Sequence, residues 1–322
     1  MLLTEHALWI VVIAIGFDAV IGDPDWIWRR LPHPVVWIGH AIDGLERTLN
    51  VAAWPARDRK IAGVGAVLWL VIGAAIVGLL IELVLPDSWI GIAIEGFLAC
   101  VLLAQRGLYQ HVARVRDAFV EGGLNAARQA VSMIVGRDPA RLDDSGVARA
   151  AIESTAENFS DGIAAPIFWL AVFGLPGLIA YKAINTADSM IGHRSERFEQ
   201  FGWAAARLDD LVNIIPARLS GLLFVAVAPL VGGTMAHSKT IMFRDAPTHR
   251  SPNAGWPESA MAGALGIALA GPRQYAEGPV HDPFLNEEGR AATPADINRA
   301  LKLFVAVCAL QAAIYAALAL VL

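Results

Sequence analysis

Polar residues set beside or inside apolar sequence are expensive to keep there, and four clusters of this chain are placed that way. The densest is AIESTAENFSDGIAAP, residues 151–166. Its Glu153, Glu157 and Asp161 recur at i, i+4 and i+8, the spacing of one helix face. Like charges one turn apart repel. The face therefore calls for a cation, and hard carboxylate and amide oxygens, with Asn158 alongside, suit Mg2+. A solvated acidic face is the simpler alternative, but no lysine is interleaved and apolar residues follow. A second cluster, YKAINTADSMIGH (181–193), puts Asn185, Asp188 and Ser189 on one face. Lys182 stands one turn before Asn185. A lone cation among oxygen ligands beside a glycine is what a phosphate needs. The alternative is a capped amphipathic helix ending in His193 and Arg194, cations suited to a C-terminal dipole.

In RLDDLVNIIPAR (207–218), Asp209, Asn213 and, beyond Pro216, Arg218 can share a face. An N-cap accounts for one of Asp209 and Asp210, but not for both together with Asn213. The fourth cluster, Gly22-Asp23-Pro24 followed by Pro32-His33-Pro34, reads as an acidic ligand plus a histidine, or as a Pro-rich turn capped by Asp23. A further stretch, Ser251-Pro252-Asn253-Ala254-Gly255, precedes Pro257-Glu258, which is ordinary helix-start chemistry. The small residues Ala260, Ala262, Gly263 and Gly266 permit close helix packing. No GxxxxGK[ST], GxGxxG, HExxH, CxxC or GxSxG occurs in supporting context. Rossmann, zinc and serine-hydrolase chemistry are disfavoured. What remains is an oxygen-rich site suited to Mg2+ and phosphate, hence transfer or activation of a phosphorylated group. UbiA-like prenyltransferases use Asn/Asp-rich helices with Mg2+, and the Asn185/Asp188 and Asp209/Asn213 pairs resemble that pattern only loosely.

The elements that must carry these residues are membrane helices. The chain has 322 residues, 56% hydrophobic and only 17% charged, against about 25% charged in soluble domains. Mean hydropathy is +0.51. This excludes a disordered chain, a basic nucleic-acid-binding protein and an ordinary soluble enzyme. The net charge of -5 is mild and names no partner. Cys100 and Cys308 both sit in apolar runs, which argues against a disulfide framework. Spans are expected near 7–22, 61–85, 89–104 and 303–322. The N-terminal run lacks the basic flank and cleavage site of a signal peptide, so it reads as a retained span. Residues 61–105 hold no Lys or Arg, whereas 23–60 and 105–160 are rich in Arg. The latter two are therefore expected on the cytoplasmic side, with 105–160 as a helical insert. Within 162–181, Phe173-Gly174-Leu175-Pro176-Gly177 breaks the apolar run. The arm 163–173 would rise about 16 Å as a helix, half a bilayer. A re-entrant pair is expected near 163–181, and a crossing or re-entrant segment near 219–238. The expected fold is all-α: a single polytopic integral membrane helical domain, 1–322, with re-entrant or broken helices and a polar site on the cytoplasmic face.

Taken together, these stretches closely resemble the CobD/CbiB family of cobalamin biosynthesis. The matching pieces, in order, are Gly22-Asp23-Pro24 with His33-Pro34; Glu153-Ser154, Glu157-Asn158 and Asp161-Gly162; Lys182 to Gly192; Asp209-Asp210, Asn213 and Pro216-Ala217-Arg218-Leu219; and Ser251 to Gly263. The resemblance runs from about residue 10 to 320. It implies an inner-membrane adenosylcobinamide-phosphate synthase, a ligase joining adenosylcobyric acid to (R)-1-aminopropan-2-ol or its O-phosphate with ATP as co-substrate. It implies no tightly bound organic cofactor and no nucleic acid. Membrane lipid and other late cobalamin-pathway membrane enzymes are the further partners. AmpE-like membrane regulators share the fold. This chain keeps the Asn185 to Asp188 and Ser251-Pro252-Asn253 motifs, which favours the enzyme. Under this resemblance Glu153, Glu157, Lys182, Asp188 and Arg218 are the catalytic candidates. Glu157, Asn158, Asp161 and Asp188 are the metal candidates. Asp23, His33, Asn185, Ser189, Asp209, Asp210, Asn213, Ser251 and Asn253 are the substrate-binding candidates. Lys182 and Arg218 would stabilise charge on a transferring phosphoryl group, and Arg194 or Arg218 would meet a phosphate on the amine substrate.

Overall fold

The computed structural model describes residues 5–22, 28–135, 139–193, 195–275, 278–280 and 282–322. Its helices, in chain order, begin with α1 (Glu5–Val20), α2 (Pro34–Leu49), α3 (Ala56–Val84) and α4 (Trp89–Cys100). Next come α5 (Gln105–Glu121), α6 (Gly123–Val131), α7 (Asp144–Phe159), a π-helical turn (Ser160–Ala164) and α8 (Ala165–Ile191). The series ends with α9 (Trp203–Val212), α10 (Ile214–Val227), α11 (Met235–Asp245), α12 (Gly255–Leu265) and α13 (Pro294–Val321). Local chemistry sets many of these ends. Pro34 starts α2, Pro55 precedes α3, and Ser88 caps α4 by accepting the Gly91 N–H. Asp143 caps α7, its Oδ1 accepting the Gly146 N–H at 2.7 Å, as an N-cap carboxylate should.

Among the described residues five helical runs are long and apolar enough to cross a membrane: Ala56–Val84, Trp89–Glu121, Asp144–Ile191, Ile214–Val231 and Pro294–Val321. The chain is a polytopic helical membrane protein. Much of α3 is exposed and apolar, including Leu68, Trp69, Ile72, Ile76, Leu80 and Leu83. Such a patch is far larger than a water-facing surface carries. The expected spans at 61–85 and 303–322 lie almost wholly within α3 and α13. α1, at 16 residues, is shorter than a full span of about 20. The segment expected at 219–238 is divided. Ile214–Val231 forms one helical run, Gly232 leaves it with φ 81°, and a new helix starts at Met235.

The chain divides into two compact units. The first comprises 1–104, 165–213 and 314–322. Its core is Ile42 of α2, Ala66, Val67 and Leu70 of α3, Ala187 and Ile191 of α8, with Phe201 and Ala205. Here α8 is not one straight helix. Gly174 has φ 66° and ψ -157°, and beyond it the chain turns back. The carbonyl oxygen of Trp169 lies 2.5 Å from where a Cβ on Gly177 would stand. A straight helix would hold those two residues about 12 Å apart along its axis. The break at Phe173–Gly177 is thus the apex of a helical hairpin. Glu82 holds it: Oε1 accepts the Leu175 N–H at 2.9 Å. The Glu82 carboxyl occupies the space a side chain at 174 would need, so both the positive φ and the close approach require glycine there. The apex also meets α3 at Gly78, near the end of that helix.

The second unit comprises 105–164 and 214–313. Phe159 packs edge-on to Phe224 and Phe304, with ring centroids 5.2 and 6.2 Å apart. α12 is buried almost throughout, from Pro257 to Leu265, which is what its small residues are for. Ser238 of α11 donates to the Ala260 carbonyl at 2.7 Å. The all-α expectation holds, with almost no sheet. Two short antiparallel pairs lie between α12 and α13: Leu269–Ala270 with Phe284–Leu285, and Arg273–Tyr275 with Gly278–Val280. Strands of two or three residues are too short for alternation to reveal.

Candidate functional site

In the first unit the returning arm of the hairpin carries Tyr181, Lys182, Asn185, Asp188 and Ser189. α9, which packs on that arm, carries Asp209 and Asp210 and ends on Asn213. Asp209 is the hub. Its Oδ1 accepts the Asn185 amide at 3.3 Å and its Oδ2 the Asn213 amide at 3.0 Å. Asn213 is fixed in turn, because the buried Tyr181 hydroxyl donates to its Oδ1 at 3.0 Å. Trp169, on the entering arm, donates to the Val212 carbonyl at 3.2 Å. Ser189 spends its hydroxyl on the Asn185 carbonyl, one turn back on its own helix. Burial, and then the charge of Asp188, push the Asp209 carboxyl up to about 7, although both amides oppose this. Asp210 accepts from Arg207 at 3.4 Å. The cluster is a set of hard oxygens whose central carboxyl changes charge near neutrality. It suits proton transfer or a hard cation.

The second unit holds most of the other candidates. Glu153 is 5% exposed, and its Oε1 accepts the Ala270 N–H at 2.7 Å, with Arg149 at 3.8 Å. Glu157 and Asn158 are exposed, and Asn158 donates to the Ser154 carbonyl and hydroxyl. Glu153 and Glu157 share a face of α7, Glu153 buried and Glu157 exposed one turn on, while the π turn takes Asp161 out of α-helical register. Among the described residues no three His, Cys, Asp or Glu side chains form a ready-made metal cage.

Arg218 donates to the Ile214 carbonyl at 2.7 Å and to Asn253 Oδ1 at 3.4 Å. Its guanidinium lies over the Trp256 ring, 4.5 Å from the centroid. Ser251 caps the turn before α12, its Oγ accepting the N–H groups of Asn253 and Ala254 at 3.3 and 3.1 Å. The predicted residues thus form an aspartate cluster in the first unit and an arginine cluster, Arg218 with Asn253, in the second. His33 has a structural task in the first unit. Its Nδ1 accepts the Val35 N–H at 3.2 Å, capping α2, and its Nε2 meets the Val101 carbonyl at 3.0 Å. Both ring nitrogens are engaged, so it is poorly placed to take a proton from substrate. Asp23 and Arg194 lie outside the described residues.

Sequence reasoning missed a pair in the second unit. His249 and Glu258 meet at 3.8 Å with side chains only 7% and 3% exposed. Glu258 read as an ordinary helix start. The signal was the small, apolar run after it, Ala260 to Leu265, which gives the helix no water-facing side.

The family described as CobD/Cbib protein matches residues 11–304. The chain belongs to the CobD/CbiB family. A cobalamin biosynthesis protein CobD of Rhodobacter capsulatus is 52% identical over 294 residues, covering 91% of each chain. One from a Sinorhizobium species is 50% identical over 99% of this chain and 100% of its own length. One from Brucella suis is 49% identical over 98% of each. No solved structure matches the chain. Every motif that carried the CobD/CbiB resemblance, from Gly22 to Gly263, lies inside the matched region, and so do both polar clusters.

Proposed function

We propose that this chain acts in cobalamin biosynthesis as an ATP-dependent ligase. It would join the amine of (R)-1-aminopropan-2-ol, or of its O-phosphate, to adenosylcobyric acid. A free carboxylate is a poor acyl donor, because its leaving group would be an oxide ion. In the first step its oxygen attacks the γ-phosphorus of ATP, releasing ADP and leaving an acyl phosphate. In the second the amine nitrogen attacks the acyl carbon, inorganic phosphate leaves, and one proton passes to a base. The product is adenosylcobinamide or its phosphate.

The observation that carries the reading is the Asp209 hub. A carboxyl that titrates near 7 beside Asp188 and two fixed amides is matched to taking an ammonium proton at cellular pH. The donor set of carboxylate and amide oxygens, without thiol or imidazole, also fits Mg2+. Asp188 and Asn185 would hold such an ion in this unit, leaving Asp209 as the base. Glu157, Asn158 and Asp161 are the corresponding donors in the other. Bound there, it would offset charge on the ATP phosphates. Lys182 in the first unit and Arg218 in the second are each candidate cations for a phosphoryl group.

Membranes carrying the protein, given adenosylcobyric acid, ATP, Mg2+ and either amine, should yield an amide identified by mass spectrometry, with ADP. Product formed equally well without ATP, or no corrinoid product with either amine, sinks the ligase. The reading also sets the site on the cytoplasmic face of the inner membrane. A single cysteine at the exposed Glu199, in a chain lacking Cys100 and Cys308, should resist an impermeant thiol reagent in intact cells and label once they are opened.

A further inference from the structure

A glutamate and a histidine shut away from water need a reason, because burying such a pair costs desolvation that its attraction only partly returns. His249 and Glu258 supply no contact in the ligation scheme above. They stand instead at the root of a chain of contacts that ends on Arg218, its first link an ion-pair distance and the rest hydrogen bonds. Glu258 Oε2 lies 3.8 Å from His249 Nε2. The other ring nitrogen, Nδ1, accepts the Ser251 N–H at 3.1 Å. Ser251 Oγ accepts the N–H groups of Asn253 and Ala254, which fixes the turn. Asn253, 6% exposed, presents Oδ1 to Arg218 Nη1 at 3.4 Å. The same turn delivers Trp256, over whose ring the guanidinium lies, and Phe243 packs edge-on against that ring at 5.5 Å. Close approach makes this possible. A Cβ on Gly255 would stand 2.6 Å from both His249 Cβ and the Ala246 carbonyl oxygen, so only glycine lets the turn press against the start of α12. Two of the three contacts that hold Arg218, Asn253 and Trp256, therefore come from the segment that His249 anchors. The third, the Ile214 carbonyl, belongs to its own helix.

We propose that His249 and Glu258 are a positioning pair for Arg218, holding its guanidinium aimed for an anionic phosphoryl group. This rests on the ligase reading for what Arg218 does, but not for how it is held. Loss of the pair should free the arginine side chain without removing it. A phosphoryl contact made only at the transition state is paid for in kcat when it is misplaced, not in KM.

The test has two arms on the full chain in detergent. In the first, phenylglyoxal modification of Arg218 is followed by peptide mass spectrometry, with the exposed Arg57 as internal reference. His249→Ala and Glu258→Gln should each raise the Arg218 rate several-fold relative to Arg57. His249→Asn, which keeps an acceptor near the Nδ1 position, should raise it less. An unchanged rate in both His249→Ala and Glu258→Gln overturns the proposal, whatever reaction the protein performs. If His249→Ala does not fold, His249→Asn and Glu258→Gln decide the arm by the same criterion. The second arm measures turnover. His249→Ala should lower kcat about tenfold with the KM for adenosylcobyric acid unchanged. Combined with Arg218→Lys, it should cost nothing further, since coupled residues are non-additive. Additive losses would overturn the proposal by showing that the pair acts elsewhere. A wild-type chain that makes no amide product refutes the ligase reading alone, and the first arm still decides the positioning.

Discussion

The aspartate cluster of the first unit and the arginine cluster of the second meet the same difficulty, polar groups in apolar surroundings, in opposite ways. Asp209 is held by two neutral amides, Asn185 and Asn213. Amides satisfy its oxygens without supplying positive charge, so burial and Asp188 leave its proton affinity high. Arg218 is held by oxygens, Ile214 O and Asn253 Oδ1, and by the face of Trp256. None of these contacts carries a negative charge, so the guanidinium is fixed without being neutralised. The first cluster is left wanting a proton or a cation, the second an anion. Fixed geometry with uncompensated charge is what a site for transferring charged groups requires.

The largest expected effect is on turnover, and both clusters should show it. Arg218→Ala is expected to lower kcat by about 10²–10³-fold, the range for one preorganised stabilising group. Lys182→Met should behave alike, with adenosylcobyric acid still bound as judged by difference spectra. Lost corrinoid binding with kcat retained would mean that these cations serve the corrinoid carboxamides instead.

An intermediate effect should distinguish two glutamates that one periodicity joined. Glu153→Ala strands the buried Ala270 N–H, and unsatisfied groups of this kind cost about 1–3 kcal/mol. Its melting temperature should fall measurably in differential scanning fluorimetry. Exposed Glu157→Gln should melt as wild type yet turn over more slowly at limiting Mg2+. Equal melting temperatures would contradict the inward placement of Glu153.

The smallest effect concerns pH. The Asp209 carboxyl titrates at about 7 in the fold, against 3.8 ordinarily. Between those values the folded chain keeps a proton that the unfolded chain has released. Stability contributed by this group is thus full below about pH 4 and is lost as pH rises through 7. Asp209→Asn has no such titration. Its melting temperature relative to wild type should rise by a few degrees from pH 5 to pH 8. A difference that is flat with pH would remove the charge argument for this cluster.

Much of the scaffold was legible because it is written locally. Composition alone marks α3 and α13 as membrane helices, since a bilayer reads each residue nearly independently. Phe173-Gly174-Leu175-Pro176-Gly177 announced a break, because a glycine able to take positive φ and a proline without an N–H act on their own backbone. Asn185, Asp188, Asp209 and Asn213 were visible as polar residues in costly places. Which side chains would meet was not visible. Glu153 finds its partner 117 residues away at Ala270, and Asn185 finds Asp209 across 24 residues. The i, i+4 rule gave Glu153 and Glu157 one face, yet packing buried one and exposed the other, and the π turn moved Asp161. Glu258 looked like a helix-start carboxylate until α12 was enclosed on all sides. Periodicity tells which residues share a helix face. Only the tertiary structure decides what that face is pressed against, and the surroundings, more than the residue type, set each group's charge and task.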